Sequence, residues 1–209
     1  MHAPAARPCT GAILAGGAAS RLDGRPKGLE LVGGRRILHR VAGALAQVSD
    51  DLLLVANAPD AAAWLPGTPV VRDTVRDAGP LGGLQAALAH APGAVLAVAW
   101  DMPFVSPSLL GELRRRGERG GADAVVPESA PDGALEPLCA YYASSSLAIV
   151  DVVLAEGERR LGALLARLRV ERVPHARVVD WGDPRRLFFN VNTPTALREA
   201  RRLACPTDA

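Results

Sequence analysis

Four short apolar runs in the first half of the chain each stop at a glycine pair or a polar side chain. The runs cover residues 11–15, 52–56, 70–71 and 94–100. Uninterrupted apolar runs of this length are typical of parallel strands that are covered on both faces. Segments with helical spacing at 37–48 and 81–91 separate them. The β-α-β-β-α-β order predicts an α/β fold, a single doubly wound, mostly parallel sheet with helices on both faces.

The polar groups that follow these runs indicate where a ligand would bind. Gly16-Gly17, Asn57, Asp73 and Asp101 come directly after, or within two residues of, the four runs. In open α/β sheets, ligands bind in the crevice at the carboxyl ends of the strands. We therefore expect all four groups to lie at one edge of the sheet.

The second half of the chain is less regular but continues the same fold. Strands are predicted at 124–127, 138–142 and 170–173, and an antiparallel orientation is compatible with the second of them. Helices are predicted at 144–154, 160–168 and 195–203. Thr193 is the expected N-cap of the last helix, with Pro194 in its first turn. The 209 residues are enough for one full core, so we expect a single domain over 1–209 with a flexible segment at 1–9.

Composition excludes several classes of function. The formal net charge of +2 is far below the basic excess of a protein that coats nucleic acid, and the clusters 114–116 and 201–202 are interpreted as solvated helix faces. Cys9, Cys139 and Cys205 lack the spacing of a zinc site or a disulfide framework. Residues 1–10 lack the apolar core of a signal peptide, and no apolar run is long enough to span a membrane. We expect a cytoplasmic protein with neither nucleic-acid nor membrane partners.

The single lysine lies in the glycine-rich segment after the first run. The sequence has 24 Lys and Arg residues, and all except Lys27 are arginine. Gly16 and Gly17 allow backbone N–H groups to converge on an anion, and Lys27 and Arg21 would meet phosphates from outside this cradle. The spacing fits neither a Walker A loop nor G-x-G-x-x-G. An ordinary glycine-rich turn is the alternative interpretation.

Other polar residues are candidates with simpler alternatives. Asp101 is placed to hold Mg²⁺, which binds one or two carboxylates together with phosphate oxygens, although a helix cap or turn aspartate is equally compatible. Asn57 is suited to bond a base or ribose, or simply ends a strand. The segment 79–83 is suited to pack under a nucleotide or to form a rigid turn. Asn190 and Asn192 place two amides on one side of an extended backbone.

In this order, the motifs resemble those of one family. LAGGAASRL with Lys27 after it, GPLGG at 79–83, DMPF at 101–104, EPL at 136–138 and NVNTP at 190–194 are similar to the molybdenum cofactor guanylyltransferases. The resemblance runs from about residue 10 to 203. LAGG with a following lysine marks the wider nucleotidyltransferase superfamily and its Rossmann-like fold, whereas DMPF and NVNTP narrow the match to the molybdopterin branch.

The resemblance implies transfer of GMP from GTP to molybdopterin with Mg²⁺ as cofactor and release of pyrophosphate. It implies a nucleotide-binding half at 10–105 and an acceptor-binding half at 106–204, and transient contact with molybdoenzymes or other proteins of cofactor biosynthesis. Lys27, Asp101 and Arg21 would be the catalytic residues, with Asp101 on the metal. The residues that bind GTP would be Leu14, Ala15, Gly16, Gly17, Asn57, Asp73 and Gly82, with Lys27 on its phosphates and the guanine over the Gly82-Gly83 loop. Asn190 and Asn192 would face the pterin.

Three other functions stay open at this point. A molybdopterin cytidylyltransferase would share the fold and use CTP. A non-catalytic nucleotide-binding chaperone for molybdoenzymes would retain the pocket without turnover. A sugar-nucleotide pyrophosphorylase would usually carry a further C-terminal domain.

Overall fold

The computed structural model describes residues 8–16, 21–22, 25–75 and 77–205, with the backbone alone described at Arg21, Leu22 and Arg25. Gly17, Asp23 and residues 1–7 of the segment 1–9 lie outside the described residues. A seven-stranded sheet forms the centre of this part of the chain. Its strands are β1 (Cys9–Leu14), β6 (Asp51–Val55), β7 (Val70–Val71), β8 (Ala94–Ala99), β9 (Ala124–Pro127), β10 (Cys139–Tyr142) and β11 (Val170–Val173).

Strand order explains where the crevice lies. The order across the sheet is β11-β9-β10-β8-β1-β6-β7, and only β10 pairs antiparallel with its neighbours among these strands. Strand β1 pairs in parallel with β6 on one side and with β8 on the other. The chain therefore leaves β1 in one direction and returns on its other side, which opens a crevice at the carboxyl ends of β1 and β8.

Helices cover both faces of the sheet, as predicted. The helices are α1 (Ile37–Leu45), α2 (Gly79–His90), α3 (Pro107–Glu118), α4 (Ser146–Ala155), α5 (Leu161–Leu165), α6 (His175–Val178), α7 (Pro184–Leu187) and α8 (Pro194–Ala204). Apolar residues of α1, α3 and α8 pack on one face, and those of α2, α4 and α5 pack on the other. Strand β1 supplies Ile13 to the first core and Ala12 and Leu14 to the second, as the alternation of side chains along a strand requires.

Local signals account for the ends of several elements. Thr193 caps α8 by accepting a 3.0 Å bond from the Ala196 N–H, and Pro194 begins the helix, both as predicted. Helix α1 ends at Leu45 instead of residue 48, and α5 covers only Leu161–Leu165 of the predicted 160–168. The longest helices in the described part of the chain have 12 residues, whereas about 20 are needed to cross a bilayer.

Sequence patterns did not predict the structure between β1 and α1. Two hairpins lie there, β2 (Arg21–Leu22) with β3 (Arg25–Pro26), and β4 (Leu31–Val32) with β5 (Arg35–Arg36). Strands of two residues are too short to show a period of two. The first hairpin delivers a single 3₁₀ turn at Lys27–Leu29 to the sheet edge, and this turn carries the lysine.

Candidate active site

A cavity of about 580 Å³ opens at the carboxyl ends of β1 and β8. The first half of the chain contributes Leu14, Gly16 and Gly83 to its wall, and the second half contributes Glu136, Asn190 and Asn192. Lys27 and Asp101 line it as well. Residues from across the chain therefore meet at the edge where the strand pattern predicts a ligand site.

The ammonium of Lys27 contacts residues from two distant segments of the chain. Its Nζ is 2.6 Å from Asp101 Oδ2 and donates a 2.6 Å hydrogen bond to Asn192 Oδ1. Lys27 and Asp101 are only 7% and 5% exposed, so both charges are desolvated and each depends on the other. An ammonium has three N–H donors, so one donor remains after these two contacts.

The slot that holds Lys27 is shaped by an aromatic pair. Trp100 stacks on Trp64 with ring centroids 5.3 Å apart, and it packs against the backbone of Gly28. A Cβ at Gly28 would lie 2.6 Å from Trp100 Cδ2, a separation that real Cβ contacts avoid. Glycine at this position thus lets the lysine backbone approach the end of β8.

Asp73 and Asn57 form a second polar pair at the same edge. Asn57 Nδ2 donates to Asp73 Oδ2 and Asn57 Oδ1 accepts from the Asp73 backbone N–H, both at 2.9 Å. The other carboxylate oxygen, Oδ1, is buried and has no hydrogen-bond partner among the described residues. It faces Gly16 and Gly83, where added Cβ atoms would lie 4.0 and 3.7 Å away. Burial raises the pKa of Asp73, against the opposing effect of Asn57.

Glu136 is a site residue to which the sequence analysis gave no role. It lines the cavity together with Asp101 and Leu138. Burial, with a smaller contribution from the charge of Asp101, raises the pKa of Glu136 to about 7, while a hydrogen bond from the Leu138 N–H opposes the rise. The EPL motif contained this residue, but its position beside the end of β8 depends on the antiparallel pairing of β10.

The remaining predicted residues divide into three groups. Asn190 lines the cavity and its Nδ2 donates to the Phe188 carbonyl at 2.9 Å. Ala15 is buried and Gly82 packs against Ala78 and Val75, so Gly83, and not Gly82, forms the cavity wall. Gly17 and the side chain of Arg21 lie outside the described residues, and their predicted roles stay predictions.

The carboxylates fit a hard cation whose other ligands come from a substrate. Asp101 and Glu136 both line the cavity, and carboxylate oxygens are the ligands that Mg²⁺ prefers. The described part of the chain contains no group of three or more His, Cys, Asp or Glu side chains able to hold a metal ion. A magnesium ion at Asp101 would therefore be completed by phosphate oxygens and water, which is its usual coordination in nucleotide sites.

Comparisons with known proteins show which family this chain resembles. The family model described as the MobA-like NTP transferase domain matches residues 11–173. A probable molybdenum cofactor guanylyltransferase from Pelotomaculum thermopropionicum is 35% identical over 93% of this chain and 93% of its own length. The molybdenum cofactor guanylyltransferase from Desulfosudis oleivorans is 32% identical, with 91% of this chain and 93% of its own covered.

A solved structure shares the whole architecture. Molybdopterin-guanine dinucleotide biosynthesis protein A from Archaeoglobus fulgidus superposes with a TM-score of 0.79 at 30% identity, and the match covers 93% of this chain and 97% of that one. The two chains thus share their fold over most of their lengths. The chain belongs to the molybdenum cofactor guanylyltransferase family of the MobA-like NTP transferases.

Proposed function

We propose that this protein transfers GMP from GTP to molybdopterin, with Mg²⁺ as the cofactor. An oxygen of the terminal phosphate of molybdopterin would attack the α-phosphorus of GTP. The bond between the α-phosphorus and the bridging oxygen would break, and pyrophosphate would leave. The names of the relatives support this reaction, as does a cavity walled by both halves of the chain.

The chemistry requires two anions to be brought together, and the site is built for that. Positioning and charge neutralisation dominate phosphoryl and nucleotidyl transfer. Lys27 fixes Asp101 and Asn192 at 2.6 Å each and retains a donor for a phosphate oxygen. The divalent cation would neutralise charge on the phosphates when bound. We assign Asp101 to hold it, and Asn190 and Asn192 to the acceptor side.

The observation that favours guanine is the unpartnered oxygen of Asp73. Guanine presents adjacent N–H donors at N1 and N2, whereas adenine and cytosine each place a ring-nitrogen acceptor beside one amino donor. The buried Asp73 Oδ1, which faces Gly83, would accept from guanine and thereby recover the cost of burying it. That cost is about 1–3 kcal/mol for an unsatisfied polar group and more for a charged one, so the gain is enough to select a base.

No strong general base is required, because the attacking phosphate is already anionic near neutral pH. His39 lies within α1, where its ring contacts the Trp64 carbonyl, and His90 lies at the end of α2 with its ring on the Ala86 carbonyl. Neither is in the cavity wall. The residues that act on the substrates are therefore binders and neutralisers of charge.

Two further parts of the proposal concern the setting of the enzyme. The three cysteines are free thiols in the structure, which is compatible with the reducing cytoplasm where we place the protein. We also propose transient contact with molybdoenzymes, because they receive the product as their cofactor.

Calorimetric titration of the purified protein with GTP, CTP and ATP in the presence of Mg²⁺ tests the nucleotide assignment. We expect GTP to bind at least tenfold more tightly, about 1.4 kcal/mol, and molybdopterin-dependent release of pyrophosphate from GTP. A preference for CTP would assign the chain to cytidylyl transfer. GTP binding without turnover would favour the non-catalytic chaperone.

A further inference from the structure

Three arginines from separate elements have no carboxylate partner among the described residues. They are Arg35 in β5, Arg40 in α1 and Arg186 in α7. None of them forms an ion pair with a described residue, whereas arginines elsewhere, such as Arg114, Arg116 and Arg167, bind aspartates or glutamates. Burial together with the charges of Arg35 and Arg186 lowers the pKa of Arg40. Neighbouring positive charges without carboxylate partners raise the local positive potential, which favours the approach of an anion.

The guanidinium of Arg186 has a defined position within this cluster. Its Cζ lies 4.9 Å from the centroid of the Phe104 ring, and Phe104 meets Phe189 edge to face with centroids 6.2 Å apart. The Asp183 carbonyl accepts the Arg186 N–H at 2.9 Å, which anchors the short helix. Arg186 is exposed, and one face of its planar guanidinium thus lies against the Phe104 ring.

This platform lies next to the acceptor side of the cavity. The Val191 N–H donates to the Asp101 carbonyl at 2.9 Å, so the segment with Arg186 and Asn190 runs beside the segment with Asp101 and Phe104. Phe104 is three residues from Asp101, a distance of at most about 10 Å along the chain. A substrate whose phosphate reacts near Asp101 and whose ring system extends away from it has the length to reach Arg186.

We propose that Arg186, supported by Phe104, binds the pterin–dithiolene end of the acceptor. The inference rests on the proposed function and extends it to the far end of the acceptor. A guanidinium stacks on flat heteroaromatic rings and neutralises anionic sulfur or oxo groups at the same time, which an ammonium does less well. Specificity for a pterin phosphate over a simpler phosphate would come from this contact.

The test compares Arg186→Gln, Arg186→Lys and Phe104→Leu with the matched control Arg185→Gln. Arg185 is the neighbouring exposed residue and contributes no ring contact. For each full-length protein we would measure direct binding of molybdopterin by quenching of tryptophan fluorescence, the KM for molybdopterin, the KM for GTP and the unfolding midpoint. The unfolding midpoint separates loss of binding from loss of the fold, especially for Phe104→Leu.

We expect Arg186→Gln to weaken molybdopterin binding about tenfold or more, with the GTP KM and the unfolding midpoint unchanged. Arg186→Lys should fall between Gln and the native protein, because it keeps the charge and loses the stacking. The control Arg185→Gln should match the native protein. Added inorganic phosphate should compete no better against native protein than against Arg186→Gln, because the subsite binds the ring end.

Several outcomes would overturn the inference. They are equal loss in Arg185→Gln, a parallel rise in the GTP KM, unchanged molybdopterin binding in Arg186→Gln, or no molybdopterin binding by the native protein. Native protein that binds molybdopterin through Arg186 but never releases pyrophosphate would instead refute the proposed function and leave this subsite standing.

Discussion

The structure brings two predicted site residues, Lys27 and Asp101, into direct contact. The sequence suggested an ammonium on the GTP phosphates and a carboxylate on the metal, and the two side chains lie 2.6 Å apart. Asn192 is the second acceptor, so the ammonium connects the segment after β1 to the segment that leads into α8. A compact ammonium with three N–H donors fits this arrangement, whereas the planar guanidinium of an arginine does not.

Lys27→Arg should therefore impair turnover although it preserves the charge. The slot is closed by Gly28 and the Trp100 ring, so a guanidinium would be displaced from Asp101 or would displace Trp100. We expect kcat to fall about a hundredfold, roughly 2.7 kcal/mol, and overpacking to cost about 1–3 kcal/mol of stability. Steady-state kinetics and chemical unfolding measure the two effects. Near-native turnover in this variant would show that shape at this position is irrelevant.

Asp73→Asn should reduce selectivity for GTP. The variant replaces the charged acceptor at Oδ1 by a neutral group, while Asn57 can still bond the side chain. We expect GTP affinity to fall roughly tenfold to a hundredfold, because hydrogen bonds to charged groups contribute about 1.5–3 kcal/mol, and ATP affinity to change little. Asp77→Asn is the control, since Asp77 is exposed in the same loop with φ of 55°, a conformation that asparagine also tolerates. Equal losses for GTP and ATP would remove Asp73 from base recognition.

At the scale of elements, Asp123 ties the second half of the sheet together. Its carboxylate accepts from the backbone N–H of Arg169 at 3.0 Å, from the Arg169 guanidinium and from Ser145. Its own carbonyl accepts from Ser146 Oγ at 2.7 Å. One buried residue thus fixes the start of β9, the start of α4 and the entry to β11, and so holds β10 and Glu136 in place.

Asp123→Ala should destabilise the protein by about 2–4 kcal/mol, whereas Arg169→Ala should have a much smaller effect on stability. The difference is expected because the Arg169 side chain is 71% exposed, while the carboxylate is buried and also serves backbone N–H groups. The Arg169 contacts hold the pKa of Asp123 well below its usual range. The contribution of the ionised Asp123 carboxylate to the free energy of unfolding is therefore present above about pH 4 and is lost as the solution is acidified. Urea unfolding at pH 7 and pH 3 measures both effects, and equal losses in the two variants would assign the stability to the exposed ion pair instead.

At the scale of the whole molecule, the crevice concentrates groups that resist ionisation. Burial raises the pKa of Glu136 to about 7 and also raises that of Asp73. Folding the chain around a ligand site therefore costs stability that ligands restore, because ionised carboxylates are buried before the cation and the nucleotide arrive.

The metal-free protein should lose stability as the pH rises from 5 to 8. The folded state binds the Glu136 proton more tightly than the unfolded chain, so this stabilisation is full below about pH 4.3 and declines as the pH approaches 7. Glu136→Gln should remove the decline, a difference of up to about 3 kcal/mol between the two ends of the range. Chemical unfolding in the presence of a chelator at both pH values is the measurement, with Asp77→Asn as the control. A native pH dependence in Glu136→Gln would assign the titration to another group.

The sequence by itself determined the sheet, its parallel core and the edge where the site lies. Continuous apolar runs and the residues that end them are local features of the sequence. Because the carboxyl ends of parallel strands lie at one edge of the sheet, these features locate the ligand site. It also supplied Lys27, Asp101, Asn190 and Asn192, because the family motifs contain them. Only the tertiary structure decided which groups touch: Lys27 with Asp101 and Asn192, and Arg186 with Phe104. It also decided the free oxygen of Asp73 and the place of Glu136. These contacts join segments up to 165 residues apart, and such pairings depend on packing distances that no local pattern encodes.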